Sequence, residues 1–309
     1  MAESSFISQQ HRPALSANCV LAASSRHGET AVSWPTPSGG LSGILRTGSR
    51  SEAVLFFHGL GGLRSGPHGL LSALGRAASA HGFTTLCFDF SSRGEGEGDG
   101  EADGATLPGM AQEALSAAEF LAARDGVERI IVVGICSGGN IAIGTMDRLP
   151  RLAGLFLLSV YPFSDGDSFE RDTRRTASFL RVYWRKLSLW ETWGKFFRGQ
   201  IMWSGIHRTL FGHVGKSADD DLRARGTRGD GEVTSPRENL VNFPVPTQLT
   251  YGDADPDYEA SRSYYADFAG EHDLPVEISV VSGAPHNYCS ALWKDALCAD
   301  LLAFLAKVS

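Results

Sequence analysis

No stretch of this sequence is apolar for long enough to cross a bilayer. The longest such run, Leu152 to Phe163, falls well short of the roughly 20 residues a spanning helix needs. No C-x-x-C pair occurs, and the five cysteines stand apart at 19, 87, 136, 289 and 298, which fits neither a disulfide framework nor a zinc site. Basic charge is not in excess. Twenty-eight Lys and Arg against 35 Asp and Glu leave a net charge of −7, which argues against a general nucleic-acid binder. The opening residues, Met1 to Pro13, lack a basic cluster, and the nearest apolar stretch, Cys19 to Ala23, is too short for the apolar part of a secretory leader. No phosphate-binding fingerprint is present either: Gly94-Glu-Gly-Glu-Gly98 lacks the Lys-Ser/Thr ending, and its carboxylates would repel phosphate. These absences lead to the expectation of a soluble, cytoplasmic protein from a reducing compartment, with no transmembrane segment, no nucleic-acid partner, no metal and no cofactor.

What is present is a chain of 309 residues, 42% apolar and 20% charged. That is enough apolar side chain for a substantial core, and it excludes disorder, collagen and coiled coil. The 36 glycines favour a loop-rich α/β protein over a helical bundle. Ala53-Val-Leu-Phe-Phe57, Thr84-Thr-Leu-Cys-Phe-Asp89 and Ile130-Ile-Val-Val133 are continuous apolar runs of the kind buried on both faces of a parallel sheet. Leu155 to Val160, Thr247 to Tyr251 and Val276 to Val281 extend the series. Helix-length segments lie between and after them, at about 68–81, 109–125, 138–149, 257–270 and 290–307. The alternation predicts right-handed crossovers and a doubly wound, mostly parallel sheet. Two weaker strands, near 18–24 and 41–46, would add an antiparallel edge.

Residues 130–140, Ile-Ile-Val-Val-Gly-Ile-Cys-Ser-Gly-Gly-Asn, read as a strand, a tight turn and a helix start. This is the setting of a nucleophile elbow, G-x-Nuc-x-G, whose central residue is held in a strained conformation between small flanks. Centring on Cys136 puts Gly134 and Gly138 at the flanks. Centring on Ser137 puts the β-branched Ile135 there, so the geometry favours Cys136. A thiol at a helix N-terminus feels the positive end of the helix dipole, which lowers its pKa from about 8.5. The bland alternative is a buried structural cysteine, a description that suits Cys87 and Cys298 better.

With that elbow, residues 43 to 307 resemble the α/β-hydrolase superfamily, and the Cys elbow is similar to that of dienelactone hydrolases. The resemblance implies the α/β-hydrolase fold and the chain order nucleophile, acid, histidine. The acid is expected in Tyr251-Gly-Asp-Ala-Asp-Pro256, where the family spacing selects Asp255, with Asp253 and Asp257 as runners-up. Asp255 could instead simply cap the helix that follows. The histidine is expected in the loop after the last strand, where Ser282-Gly-Ala-Pro-His286 supplies His286. His58-Gly-Leu-Gly-Gly62 looks like the lipase-type loop, and the pattern implies oxyanion donors at the amides of Leu60 and Ser137. Asp89-Phe-Ser-Ser-Arg-Gly-Glu-Gly resembles the D-x-R-G-x-G loop of the serine-aminopeptidase and acylglycerol-lipase branch, with two extra residues before Arg93. Arg93 is expected to tie that loop to the body.

About eighty residues separate the strand ending near Val160 from the next. The expected domain plan is therefore a hydrolase core at 1–161 and 244–309, with a helical lid at 162–243 inserted after the sixth strand. Between Arg171 and Lys216 ten Lys or Arg face only Asp172 and Glu191, and aromatic residues interleave with them. Trp184, Trp190, Trp193 and Phe197 are the candidate substrate-pocket residues. Plain amphipathic helices with solvated bases account for this pattern. A basic approach to an aromatic acyl tunnel accounts for it too, and would suit an acyl substrate delivered on an acidic carrier protein, coenzyme A or an anionic membrane. The expected activity is an acyl hydrolase, esterase or thioesterase, working through an acyl-cysteine on Cys136, His286 and Asp255. An acyltransferase or cyclase on the same residues is the second reading. A non-catalytic ligand-binding member of the fold is the third. Oligomeric state is open, a homodimer being one arrangement the sequence allows.

Overall fold

The computed structural model describes residues 28–36, 39–59, 62–91, 107–162 and 237–309. The strands are β1 (Glu29–Thr36), β2 (Gly39–Arg46), β3 (Glu52–Phe57), β4 (Thr84–Asp89), β5 (Arg129–Ile135), β6 (Leu152–Leu158), β7 (Thr247–Gly252) and β8 (Val276–Val281). The described helices are α1 (Leu70–Ala80), α2 (Leu107–Ala122), α3 (Ser137–Thr145), α4 (Glu238–Asn242), α5 (Tyr258–Glu271) and α6 (Ala291–Val308). The strands form one sheet in the order β1-β2-β4-β3-β5-β6-β7-β8. From β4 to β8 every neighbouring pair is parallel, while β1–β2 and β2–β4 are antiparallel.

The apolar runs become central strands because each of their faces has a helix layer to bury against. In β3, Ala53, Leu55 and Phe57 join the cluster under α2, α3 and α5, whereas Val54 and Phe56 point the other way, into the cluster under α1 and α6. Ile130 and Val132 of β5 split from Ile131 and Val133 in the same way. A period of two on a continuous apolar run thus fills both cores at once.

The antiparallel edge is built differently from the expectation. The strand Gly39–Arg46 is there, but its hairpin partner is Glu29–Thr36, with Trp34 opposite Leu41. The stretch 18–24 lies outside the described residues. Pro35 and the half-exposed alternate positions of β1 hide it in a sequence reading, and proline is tolerated because this is the outer strand of the sheet. The expected lid lies outside the described residues except at its two margins. At the C-terminal margin, Arg237–Phe243 packs on the core: Leu240 is buried in the cluster under α2, α3 and α5, and Asn239 Nδ2 donates to the Ile143 carbonyl at 3.0 Å. Arg237 lays its guanidinium over the rings of Tyr264 and Phe268. Among the described residues, no helix is long and apolar enough to cross a membrane.

Candidate active site

β5 runs buried up to Ile135, and the chain then turns sharply at Cys136, with φ 56° and ψ −124°, before α3 begins at Ser137. A non-glycine residue rarely adopts positive φ, and holding one there costs on the order of 1–3 kcal/mol. Surrounding backbone contacts enforce it. The Cys136 N–H donates to Leu158 O at 2.9 Å, and Cys136 O accepts from Gly139 N at 3.0 Å. The flanking glycines are needed for space. A Cβ on Gly138 would stand 2.4 Å from the Phe57 carbonyl oxygen, and one on Gly134 would stand 2.8 Å from Gly139 Cα. The strained position is therefore Cys136, and Ser137 is instead the buried first residue of the helix.

Two loops at the carboxyl ends of neighbouring strands meet this turn. After β7 the chain places Asp255, and after β8 it places His286. His286 Nδ1 donates to Asp255 Oδ2 at 2.7 Å, and the His286 ring is also hydrogen-bonded to the Cys136 side chain. With Nδ1 committed to the carboxylate, Nε2 is the atom available to the sulfur. Burial works against a charge on His286, but the hydrogen bonds and negative charge of Asp255 and Cys136 outweigh it and push the ring up to about 10. Burial likewise works against an ionised Asp255. The His286 hydrogen bond and charge, the Asp257 N–H and the Ser159 hydroxyl together hold its carboxyl below the usual carboxylate range. Those directions favour a charged imidazole beside an ionised Asp255.

The other acidic candidates in the loop have different contacts. Asp253 is exposed and accepts from Gly283 N at 2.5 Å and Ser282 Oγ at 3.2 Å, which pins the acid loop to the histidine loop. Asp257 is the residue before α5. Asp255 Oδ1 accepts from Asp257 N at 3.1 Å, so the same carboxylate braces the turn ahead of the helix and faces His286.

The loop after β3 is anchored by a buried histidine. Phe90 N donates to His58 Nε2 at 3.2 Å, so the ring carries its proton on Nδ1, which donates to Gly59 O at 2.9 Å. Gly62 N closes a turn onto Gly59 O at 2.8 Å. Leu60 lies outside the described residues, as do Trp184, Trp190, Trp193, Phe197 and Arg93. Asp89 accepts from the backbone N–H and the guanidinium of Arg64 at 2.6 and 2.5 Å. Sequence reasoning missed Ser159 and Tyr288, both buried beside the acid. Neither belongs to a motif, and their proximity to β6 and to His286 in the chain was the only available signal. Among the described residues, no group of three or more His, Cys, Asp or Glu side chains is placed to hold a metal ion.

A thiol on a strained strand-to-helix turn, an imidazole against it and a carboxylate behind the imidazole thus stand together at the carboxyl ends of a doubly wound sheet. The chain belongs to the alpha/beta hydrolase family, whose model matches residues 54–300. Solved structures that share the fold include the following three. An esterase from Pyrococcus furiosus superposes with a TM-score of 0.62 at 17% identity, covering 91% of this chain and 90% of its own. Est1E from Butyrivibrio proteoclasticus, solved with ferulic acid bound, gives 0.60 at 17%, covering 90% and 99%. A dienelactone hydrolase from Anabaena variabilis gives 0.56 at 14%, covering 91% and 97%. No curated protein matches the sequence.

Proposed function

We propose that this protein is an acyl hydrolase, an esterase or thioesterase, that works through a covalent acyl-cysteine. One observation carries the reading: His286, bonded to Asp255 at 2.7 Å, also hydrogen-bonds the side chain of the strained residue Cys136. The Cys136 thiolate attacks the carbonyl carbon of a small-molecule ester or thioester, and the carbonyl oxygen becomes an oxyanion. The amides of Leu60 and Ser137 are assigned to that oxyanion by the family pattern. The intermediate collapses, the carbon–leaving-group bond breaks, and the departing oxygen or sulfur takes a proton from His286. His286, held in place by Asp255, then takes a proton from water, whose oxygen attacks the acyl-cysteine. The carboxylic acid leaves and Cys136 is regenerated as thiolate. The names of the P. furiosus esterase and the A. variabilis dienelactone hydrolase agree with ester chemistry on this fold.

A second reading follows from the identity of the nucleophile. An acyl-thioester keeps a more electrophilic carbonyl than an oxoester, so an amine, alcohol or carbanion acceptor can compete with water, giving an acyltransferase or cyclase. Incubation with a panel of activated esters and acyl-thioesters, followed by acid quench and mass spectrometry, tests both readings. An acyl mass on the peptide carrying Cys136 is expected. Turnover with the label absent from that peptide would overturn the mechanism. Products recovered as acid or as an acyl conjugate of an added amine separate hydrolysis from transfer.

A further inference from the structure

The acid loop and the histidine loop stay joined after the strands that carry them have ended. β7 and β8 pair in parallel up to Gly252 and Val281. Beyond that point Asp253 N reaches Val281 O only at 3.4 Å, and Ala254 N donates to Ala284 O at 3.1 Å. The shortest link between the two loop starts is made by a side chain. Asp253 Oδ1 accepts from Gly283 N at 2.5 Å and Oδ2 from Ser282 Oγ at 3.2 Å. The loops are also in contact, since a Cβ on Gly252 would stand 2.0 Å from the Ala284 carbonyl oxygen. From α6, Trp293 Nε1 donates to Ser282 O at 3.2 Å and holds the same stretch of the histidine loop.

These contacts follow one another as rungs. Asp253 meets Ser282 and Gly283, Ala254 meets Ala284, and Asp255 meets His286 at 2.7 Å. Only the last rung enters the proposed chemistry. A hydrogen bond weakens steeply once its distance or angle departs from the optimum, so that rung tolerates little sliding of one loop past the other. The backbone opposes sliding with one bond of ordinary length. The Asp253 carboxylate adds two, one on each oxygen, and with separate donors on the two oxygens it fixes orientation as well as distance.

We propose that Asp253 is a positioning residue, whose carboxylate clamps Ser282 and Gly283 and so sets the register in which Asp255 meets His286. The proposal rests on the reading of Asp255 and His286 as the acid and base of the site. Two aspartates in one short loop then have separate tasks: Asp255 faces the imidazole, and Asp253 holds the start of the loop that carries it. What the clamp supplies is shape. Asparagine at 253 keeps that shape, because its carbonyl oxygen can accept from Gly283 N while its amide donates to Ser282 Oγ, a hydroxyl that accepts as well as donates. Alanine removes both bonds. Asp253 is exposed, so either substitution leaves the core untouched.

The test compares Asp253→Ala, Asp253→Asn and Ser282→Ala with the wild type, and combines Asp253→Ala with Asp255→Ala. The readouts are kcat and KM on a nitrophenyl ester, the rate at which iodoacetamide alkylates Cys136 at neutral pH, resolved by mass spectrometry, and the melting temperature as a check on the fold. Asp253→Ala is expected to lower kcat about tenfold with KM unchanged, which is as much as two solvent-exposed hydrogen bonds can sustain. Alkylation of Cys136 slows with it. Ser282→Ala loses less, and Asp253→Asn recovers most of what alanine loses. In the Asp255→Ala background, Asp253→Ala costs less than about twofold, because the contact it positions is already gone. Wild-type kcat in Asp253→Ala, an asparagine variant as slow as the alanine variant, or a full tenfold loss in the Asp255→Ala background would each overturn the proposal. If the wild type turns over no ester, while Asp253→Ala still slows alkylation and Asp253→Asn restores it, the hydrolase reading falls and the clamp stands.

Discussion

Two thiols of this molecule differ only in where the sheet puts them. Cys87 lies within β4, 2% exposed, its sulfur 3.9 Å from Leu71 O and from Arg46 Nη1. Burial pushes it up to about 11, even though the Arg46 charge works the other way. Cys136 lies where β5 has just ended, half-buried, at a bend that aims its side chain at His286. Mid-strand, the thiol is packing material buried in the core cluster, with the Arg46 guanidinium at its edge. At the carboxyl end the strand's order lapses, glycines let backbone come close, and loops from neighbouring strands supply charge. Depth along the strand, more than residue type, sets which sulfur can react.

The largest test of that contrast is Cys136→Ala. Ester turnover is expected to fall by about 10⁵-fold or more, read from initial rates, whereas Cys87→Ala leaves kcat near wild type and lowers the melting temperature. Activity surviving in Cys136→Ala within tenfold of wild type would end the comparison. Next comes Asp255→Asn, expected to lower kcat by about 10⁴-fold, because an amide no longer supports the imidazolium. Asn in place of Asp253, an exposed residue that only joins two loops, costs far less, and the reverse ranking would reassign the acid.

A third measurement needs no substrate. At neutral pH iodoacetamide should label Cys136 at least about 100-fold faster than Cys87, with Cys87 reacting on denaturation; equal labelling of the two contradicts the contrast. A fourth follows from linkage. His286 has a raised folded value, so its contribution to stability is complete below its unfolded value of 6.5 and is lost as pH rises through about 10. Asp255 has a depressed value, so its contribution is present above 3.8 and fades as pH falls through its lower folded value. The melting temperature of the wild type should therefore decline between about pH 6.5 and 10 more steeply than that of His286→Gln. Parallel curves would count against the pair. The smallest effect is expected at Lys307, whose ion pair with Glu277 on β8 is mostly solvated. Lys307→Ala should change stability by no more than about 0.5 kcal/mol by denaturant titration.

Much of the site was legible because its constraints are local. The flanking glycines of the elbow at 134 and 138 are dictated by backbone approach within a few residues, so spacing alone pointed to Cys136 over Ser137. The resemblance to the family then directed attention to Asp255 and His286, and the structure brings both to the elbow. The outer strand Glu29–Thr36 was illegible for the opposite reason. Its pairing with Gly39–Arg46 depends on a sheet edge formed by residues far along the chain, and Pro35 obscures its pattern. Ser159 and Tyr288 were also hidden, since 129 positions separate them and neither has a spacing rule to obey.

The sequence by itself determined which segments are central strands, because a run apolar on both faces is stable only between two helix layers. It also determined where the chain must bend hard after β5, because only glycine permits that close approach. The tertiary structure brought Asp255, the aspartate that the family spacing implied, to the imidazole, and it alone decided which hydroxyls are buried nearby. Those choices are contacts between loops at the ends of different strands, and their distances are set by sheet order and twist rather than by any neighbour in the chain.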